Sequence, residues 1–305
     1  MRLGLALGSG GARGLAHVGV LSVLEREGLE PACITGTSMG AIAGALYADR
    51  RDAEEVAALV RSYTVDPRFQ SIWEPFLEEI ETTEPGGFFQ DLRRAIHRRI
   101  LTFRAFTSPS QTGSDHLLEP LGRLYTVRRI EELKLPFAAI AVDLRSGEPR
   151  VFTRGDLVEA VYASSAIPGI FPPLAAGSDL LIDGGGPYRV PVGFCRDLGA
   201  DLVVAVDIPS FASEREEYER GVDIMMRMYE IAMDRLNGLV LRDADLVVRP
   251  AVERFHWAHF REFDAIREAG EAAMRDALPE LRRLLRERTR VGARLRRTIG
   301  RLVGR

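Results

Sequence analysis

Short apolar runs alternate with segments of helical apolar spacing through most of this chain. The first run spans residues 2–7, and a helical pattern follows from about Leu15 to Glu27, where Gly28 ends it. The second run spans 32–35 and leads into a helix through 41–48. Further strands are predicted at 136–142, 150–153, 179–182, 202–208 and 246–250, and further helices at about 157–164, 219–241 and 261–277. Because several runs are almost continuously apolar, the pattern predicts βαβ units with parallel strands covered on both faces.

Residues 65–122 interrupt this alternation. They are rich in Phe, Arg and Glu, and "EPGG" at 84–87 and "TSPSQTG" at 107–113 break them into short helical stretches. A long segment of this kind within a compact domain is typically an insertion over the core. We therefore predict one domain over residues 1–280, in which residues 65–122 form a helical lid over the sheet.

Composition narrows the class of protein. The chain has 305 residues, of which 46% are apolar, so it can bury a sizeable core. Its two cysteines form no CxxC pair and no metal-spaced cluster, which argues against a disulfide scaffold or a structural zinc site. The first apolar run breaks at glycines and is too short for a signal peptide, and no segment reaches roughly 18 uninterrupted apolar residues. The expected location is the cytoplasm.

Charge is concentrated at the C-terminal end. The net charge is −3, yet residues 281–305 hold ten Arg against Glu287 alone. Apolar residues recur there at helical spacing, at Leu281, Leu284, Leu285, Val291, Leu295, Ile299 and Leu302. This predicts a basic amphipathic helix, which either docks on the domain or attaches to anionic phospholipid at the inner face of the membrane. A nucleic-acid partner is not expected, because no aromatic residue interleaves the arginines.

A glycine-rich loop, "GSGGARG" at 8–14, lies between the first strand and the first helix. Such a loop presents backbone N–H groups to an anion, which could be a nucleotide pyrophosphate or a transient oxyanion. Against the pyrophosphate, Arg13 stands where the dinucleotide fingerprint has glycine, and the second strand ends without the acidic ribose ligand. An oxyanion would be held by the amides of Gly10 and Gly11, with the charge of Arg13 nearby.

A serine flanked by glycines, "GTSMG" at 36–40, lies at the next strand-to-helix turn. Gly36 and Gly40 allow a sharp turn that presents the Ser38 hydroxyl at a helix start. The motif is short enough to arise by chance, in which case the serine is an ordinary helix N-cap residue. Parallel neighbouring strands would place this turn beside the glycine loop, which favours a nucleophile next to oxyanion donors.

The base for such a serine is not evidently a histidine. His17 falls in the first helix, His97 and His116 in the lid, and His256 and His259 in an aromatic C-terminal patch. Asp183, in "LLIDGGG" at 180–186, instead ends an apolar strand beside three glycines, although an Asp-Gly turn is also common in loops. A free Asp has a pKa of about 3.9, so the predicted Ser38 and Asp183 pair requires a dry site that raises it.

Three motifs in this order, "GSGGARG", "GTSMG" and "DGG", resemble those of the patatin-like phospholipase family, and in particular its bacterial single-domain members. Similarity continues through "GLAHVGVL" (14–21), "GAIAGALYA" (40–48), "SSAIPGIFPP" (164–173) and "DADLVV" (243–248), so it covers most of residues 1–280. The resemblance implies a three-layer α/β/α fold with a central, mostly parallel sheet.

The same resemblance implies a lipid acyl hydrolase without metal or cofactor. By motif, Ser38 would be the nucleophile, Asp183 the base, and Gly10, Gly11 and Arg13 the oxyanion region. Aromatic stretches of the lid at 73–76, 88–90 and 103–106 would line an acyl channel or pack the lid.

One segment departs from the family pattern. Many members carry an Asn between "DGG" and "PV", where this chain has Tyr188 and Arg189. This departure leaves open a regulatory protein that retains the fold without catalysis. The glycine loop leaves open a nucleotide-binding oxidoreductase.

Overall fold

A mixed sheet of eight strands lies at the centre of the computed structural model, which describes residues 1–77, 110, 112–209 and 221–303. At 75, 76, 222 and 290–303 it describes the backbone alone. The strands are β1 Leu3–Leu7, β2 Cys33–Gly36, β3 Phe137–Asp143, β4 Pro149–Phe152, β5 Leu174–Ala176, β6 Asp179–Asp183, β7 Leu202–Val206 and β8 Leu246–Val248. The sheet order is β5-β6-β3-β2-β1-β7-β8, and β4 pairs with β3. The sequence predicted each of these strands except β5.

The α-helices are α1 Ala16–Arg26, α2 Met39–Arg50, α3 Ala53–Thr64, α4 Pro67–Leu77, α5 Asp115–Leu124, α6 Leu157–Ser165, α7 Val192–Asp197, α8 Gly221–Val240 and α9 Phe263–Val303. Helix α3 was not predicted, although its start carries a clear signal. The Asp52 carboxylate accepts hydrogen bonds from the N–H groups of Glu54 and Glu55, as an N-cap residue does.

Strand direction decides where the loops meet. Strands β3, β2, β1, β7 and β8 run parallel in this order, so their C-terminal ends lie at one edge of the sheet. Strand β6 runs antiparallel to β3, and Asp183 lies opposite Ala141. Because β3 extends beyond the end of β2, β6 runs back along that extension and ends near the same edge. Asp183 therefore reaches the edge from an antiparallel strand.

The core confirms the interpretation of the apolar runs. Every residue of β1, β3 and β7 is buried, as expected for strands covered on both faces. The mostly parallel sheet flanked by helices is thus confirmed. The two cysteines are buried and form no disulfide.

The C-terminal helix differs from its predicted bounds. The sequence predicted a helix at 261–277 and a separate basic helix from 281, whereas α9 runs without a break from Phe263 to Val303 and includes Pro279. The start of the basic segment docks on the domain: Leu281 is fully buried, Arg282 contacts Glu27, and Arg288 contacts Asp245. The basic segment that begins at 281 therefore differs from the preceding residues in the charge of its surface, while the helix itself continues.

The predicted lid is described only at its two ends, α4 and α5. The aromatic stretches at 88–90 and 103–106 lie outside the described residues. Trp73 is buried and makes ring contacts with Phe171, Trp257 and Phe260, so this member of the 73–76 stretch packs in the core. Among the helices of the described residues, none combines the length with the apolar character that a membrane span requires.

Candidate active site

Ser38 occupies a sharp turn between β2 and α2. Its φ and ψ of 57° and −124° are unusual for a residue with a side chain, and such strain is typical of a nucleophile elbow. The flanking positions require glycine, because other backbone atoms lie too close to them for a Cβ. A Cβ on Gly40 would collide with the carbonyl oxygen of Leu7, and one on Gly36 with the backbone of Gly40.

The elbow is held by a serine that the sequence analysis did not single out. The N–H of Ser38 donates to Ser164 Oγ at 3.0 Å, and Ser164 Oγ donates to the carbonyl oxygen of Ile140 at 2.7 Å. Ser164 is fully buried at the end of α6. Its stretch "SSAIPG" contributed to the family resemblance, but a serine in a helix carries no signal of this role.

Asp183 lies near enough to Ser38 for the serine hydroxyl to affect the ionisation of its carboxyl. Burial raises the pKa of this carboxyl to about 6, and the neighbouring Ser38 hydroxyl and the hydrogen bond from the Gly185 N–H oppose that rise. The bond from Gly185 N to Asp183 Oδ1 measures 2.7 Å. Ser38 is 5% and Asp183 9% exposed, so the structure brings the two predicted side chains together in a largely dry site. At neutral pH the carboxylate is ionised and more basic than a solvated one.

The glycine loop lies beside this pair. Gly11, at a φ of 54°, begins a 3-10 helix over Gly11–Leu15. A Cβ on Gly185 would lie 2.8 Å from Ser9 Oγ, which places the loop against the glycines that follow Asp183. Among the described residues, no acceptor is found for the N–H groups of Gly10 and Gly11. These two amides are the first donors of a helical turn, where such groups have no partner within the helix.

Arg13 is engaged elsewhere. Its buried guanidinium donates to three carbonyl oxygens, those of Phe255 at 2.6 Å, Pro209 at 3.3 Å and Glu253 at 3.3 Å. These bonds tie the glycine loop to the segments after β7 and β8. The side chain therefore helps to fix the position of the loop in which the sequence analysis predicted the oxyanion region.

The unusual segment at Tyr188 and Arg189 joins the three motifs through its backbone. Thr37 Oγ1 donates to the carbonyl oxygen of Tyr188 at 2.9 Å, and Ser9 N donates to that of Arg189 at 2.9 Å. Backbone carbonyls make these bonds whatever the side chain. The Arg189 side chain pairs with Asp234 of α8 at 2.6 Å and with the buried Asp207 at 3.6 Å.

The histidines that the structure describes have other surroundings. His17 is fully buried in α1, its Nε2 lies 2.7 Å from the carbonyl oxygen of Gly8, and burial lowers its pKa to about 4. The ring is thus neutral and donates to the glycine loop. His256 is also kept neutral, mainly by burial, with its pKa at about 4. His116 lies in α5, and His97 is outside the described residues.

An apolar cavity of about 50 Å³ lies next to the elbow. Met39, which follows Ser38, forms part of its wall, together with Ile42, Tyr63, Leu121 and Phe260. The cavity thus lies between α2, α3 and the described ends of the predicted lid. The sequence analysis had assigned no pocket there.

The chain is similar in sequence to proteins of one family. A family model for patatin-like phospholipases matches residues 5–195. The chain is 31% identical, over 92% of its length, to a patatin-like phospholipase domain-containing protein of Caenorhabditis elegans, of which it covers 21%. It is 33% identical, over 68% of its length, to human patatin-like phospholipase domain-containing protein 6, of which it covers 13%. VipD from Legionella pneumophila matches at a TM-score of 0.45 and 14% identity, over 91% of this chain and 66% of VipD. The chain thus spans about a fifth or less of the length of the two patatin-like phospholipase domain-containing proteins.

Proposed function

Because this chain belongs to the patatin-like phospholipase family, we propose that it is a serine acyl hydrolase that cleaves carboxylic esters of phospholipids, lysophospholipids or related lipids. The observation that carries the proposal is the buried Asp183, whose pKa of about 6 suits a base, within reach of the strained Ser38. Lysophospholipases of fungi such as Coccidioides immitis are among its relatives, at 28% identity over 97% of this chain and 19% of the relative. The cavity beside Met39 is a suitable place for part of an acyl chain.

The proposed reaction has two half-reactions. The Asp183 carboxylate takes the proton of the Ser38 hydroxyl while Ser38 Oγ attacks the ester carbonyl carbon. The C–O bond to the alcohol then breaks, and the alcohol leaves with the proton from Asp183. Water attacks the acyl-enzyme in the same way: Asp183 accepts the proton of water and returns it to Ser38 Oγ as the fatty acid leaves.

The oxyanion of each tetrahedral intermediate would accept hydrogen bonds from the N–H groups of Gly10 and Gly11. Their lack of an acceptor among the described residues supports this role, since donors that are already in place need no reorganisation during the reaction. Arg13 is then a positioning residue that holds the loop through carbonyls on neighbouring segments. The N-terminus of α2 adds a partial positive charge at Ser38.

The pH dependence of hydrolysis tests this assignment. Only the ionised Asp183 can take the serine proton, and its pKa is about 6 because of burial. We expect kcat/KM for p-nitrophenyl butyrate to be level above this pH and to fall about tenfold per pH unit below it. Thermal unfolding at each pH serves as the control for the fold. A midpoint near pH 4, as for a solvated carboxyl, would contradict a buried base.

The basic end of α9 is proposed to contact anionic lipid. Residues 281–288 dock on the domain, whereas residues 290–305 carry six Arg and no acidic residue. We expect removal of 290–305 to reduce co-sedimentation with vesicles that contain anionic phospholipid by about tenfold or more, since each basic residue near such a surface contributes about 1 kcal/mol. Hydrolysis of the soluble ester should stay within twofold. Unchanged sedimentation would contradict a contact between residues 290–305 and anionic lipid.

A further inference from the structure

Helix α8 carries most of the large apolar side chains that the described part of the chain exposes. Seven of these eleven lie on it, namely Ile224, Met225, Met226, Met228, Tyr229, Ile231 and Leu239. Met225 and Met228 are each 66% exposed. Soluble proteins rarely expose a contiguous apolar surface of this kind without a binding role. We call these seven side chains the α8 apolar face.

The helix lies across the candidate active site. A Cβ on Gly186, in the glycines that follow Asp183, would collide with the Tyr229 hydroxyl and lie 4.0 Å from Met233 Sδ. Burial, and after it the charge of Asp183, raises the pKa of Tyr229, so this phenol and the carboxylate are electrostatic neighbours. The α8 apolar face is therefore continuous with the wall of the site.

The C-terminal half of α8 is fastened to the sheet edge. Asp234 pairs with Arg189 at 2.6 Å, and Asn237 Nδ2 donates to the buried Asp207 at 3.0 Å. The backbone of the Tyr188 and Arg189 segment contacts the three motifs, and the Arg189 side chain connects this segment to α8. The exposed methionines lie towards the N-terminal half, beyond this attachment.

The charges of α8 nearly cancel. Residues 221–240 hold two Arg against three acidic residues, and Arg227 pairs with Glu230 at 3.2 Å. The surface is therefore apolar with little net charge. It suits a partner surface that is itself without net charge, in contrast to the arginine-rich end of α9.

The arc of exposed side chains distinguishes the kinds of partner. At about 100° per residue, the seven positions spread over about 220° of the helix circumference. A helix that docks on another protein surface typically presents an apolar stripe about 100° wide or somewhat wider. A lipid phase can surround a helix on several sides, so the wide arc favours lipid over a second protein.

We propose that the α8 apolar face docks on the surface of zwitterionic lipid aggregates, such as bilayers or micelles of a phosphatidylcholine. The proposal rests on the proposed function, because a lipid substrate must leave its aggregate to reach the buried Ser38. Docking beside Asp183 lets the acyl chains pass from lipid to protein without crossing water, which avoids exposing their apolar area. Methionine suits this contact, because its flexible side chain adapts to an irregular apolar surface.

Vesicle binding tests the docking without relying on catalysis. The full chain with Ser38→Ala is sedimented with phosphatidylcholine vesicles at physiological salt, with and without the pair Met225→Glu and Met228→Glu. We expect the pair to lower the vesicle-bound fraction about tenfold or more, since two exposed apolar side chains would carry charge into the lipid. The pair Met225→Lys and Met228→Lys should give the same loss, because apolar contact rather than the sign of charge drives it.

The matched control is Leu144→Glu, at an apolar side chain that is 51% exposed in the turn between β3 and β4. It should leave vesicle binding and hydrolysis unchanged. With Ser38 present, the Glu pair should lower the ratio of aggregated-lipid to soluble-ester hydrolysis at least tenfold. The proposal would be overturned if both Met pairs bound vesicles as well as the chain without them does. It would also be overturned if that chain bound no vesicles but formed a dimer, and the Glu pair dissociated this dimer. If the chain hydrolyses no ester yet binds vesicles through α8, the proposed function fails and the docking stands.

Discussion

Ser38→Ala and Asp183→Asn are each expected to lower kcat for p-nitrophenyl butyrate by on the order of 10⁴-fold, as the loss of one member of a catalytic constellation does in serine hydrolases. Alanine removes the attacking oxygen. Asparagine keeps an oxygen that can accept the Gly185 N–H bond but cannot take the serine proton. The measurement is steady-state hydrolysis, together with labelling by a fluorophosphonate, which should modify the wild-type chain and not Ser38→Ala.

Folding must be separated from catalysis in these variants. In the folded chain the pKa of Asp183 is about 6, above the value of about 3.9 expected when unfolded, so burial of the ionised carboxylate at neutral pH costs free energy of folding. Asp183→Asn should therefore unfold at the same temperature as the wild type or higher. The serine control is Ser22→Ala, at a buried hydroxyl that donates to the Val18 carbonyl oxygen and accepts from Arg267 of α9.

Several results would contradict the assignment. Full activity in either variant would exclude the pair as catalytic. Absence of labelling in the wild-type chain would favour a regulatory protein on this fold. Stabilisation by NAD(P)H without labelling would favour the nucleotide-binding alternative that the glycine loop leaves open.

Gly270→Ala is expected to lower the free energy of unfolding by about 2 kcal/mol or more, because a well-packed crossing has no room for an added methyl group. Helices α1 and α9 meet at two glycines: a Cβ on Gly270 would collide with the carbonyl oxygen of Ala16, and one on Gly19 with that of Arg267. These atoms belong to helix backbones and cannot rotate away as a side chain can. Urea unfolding monitored by circular dichroism measures the change.

Gly238→Ala is the matched control for this effect. Gly238 lies within α8, and among the described residues no atom beyond its chain neighbours and its own helix backbone lies within 4 Å of an added Cβ. Alanine there should stabilise the chain by about 0.5–1 kcal/mol, through its higher helix propensity alone. Equal effects at 238 and 270 would show that the crossing of α1 and α9 does not depend on glycine.

Local patterns were sufficient to predict much of the candidate site. "GTSMG" places Ser38 on a strand-to-helix turn because glycines permit the close approach of Leu7 and the positive φ of the serine is tolerated there. The continuous apolar runs predicted the parallel strands, because a strand that is buried on both faces has apolar side chains at successive positions. The start of α3 is specified as locally, by the Asp52 N-cap, although α3 contributes no continuous apolar run.

Other features depend on residues that are far apart in the chain. Ser164 supports the elbow from 126 residues away, and Arg189 holds α8 through Asp234, 45 residues away. Neither partner has a fixed spacing from the motif that it supports. The sequence analysis therefore saw Arg189 only as a departure from a family pattern.

Local sequence specifies which groups are available for chemistry: a serine on a glycine turn, a glycine-rich loop of backbone amides, and an aspartate beside glycines. Each depends on backbone freedom or apolar periodicity within about ten residues, which local sequence specifies. Long-range packing sets three other features: antiparallel β6 brings Asp183 back towards the serine, burial raises the pKa of Asp183, and α8 exposes its methionines near them. Strand pairing, burial and exposure are properties of the packed chain, because they depend on which distant segments exclude water from one another.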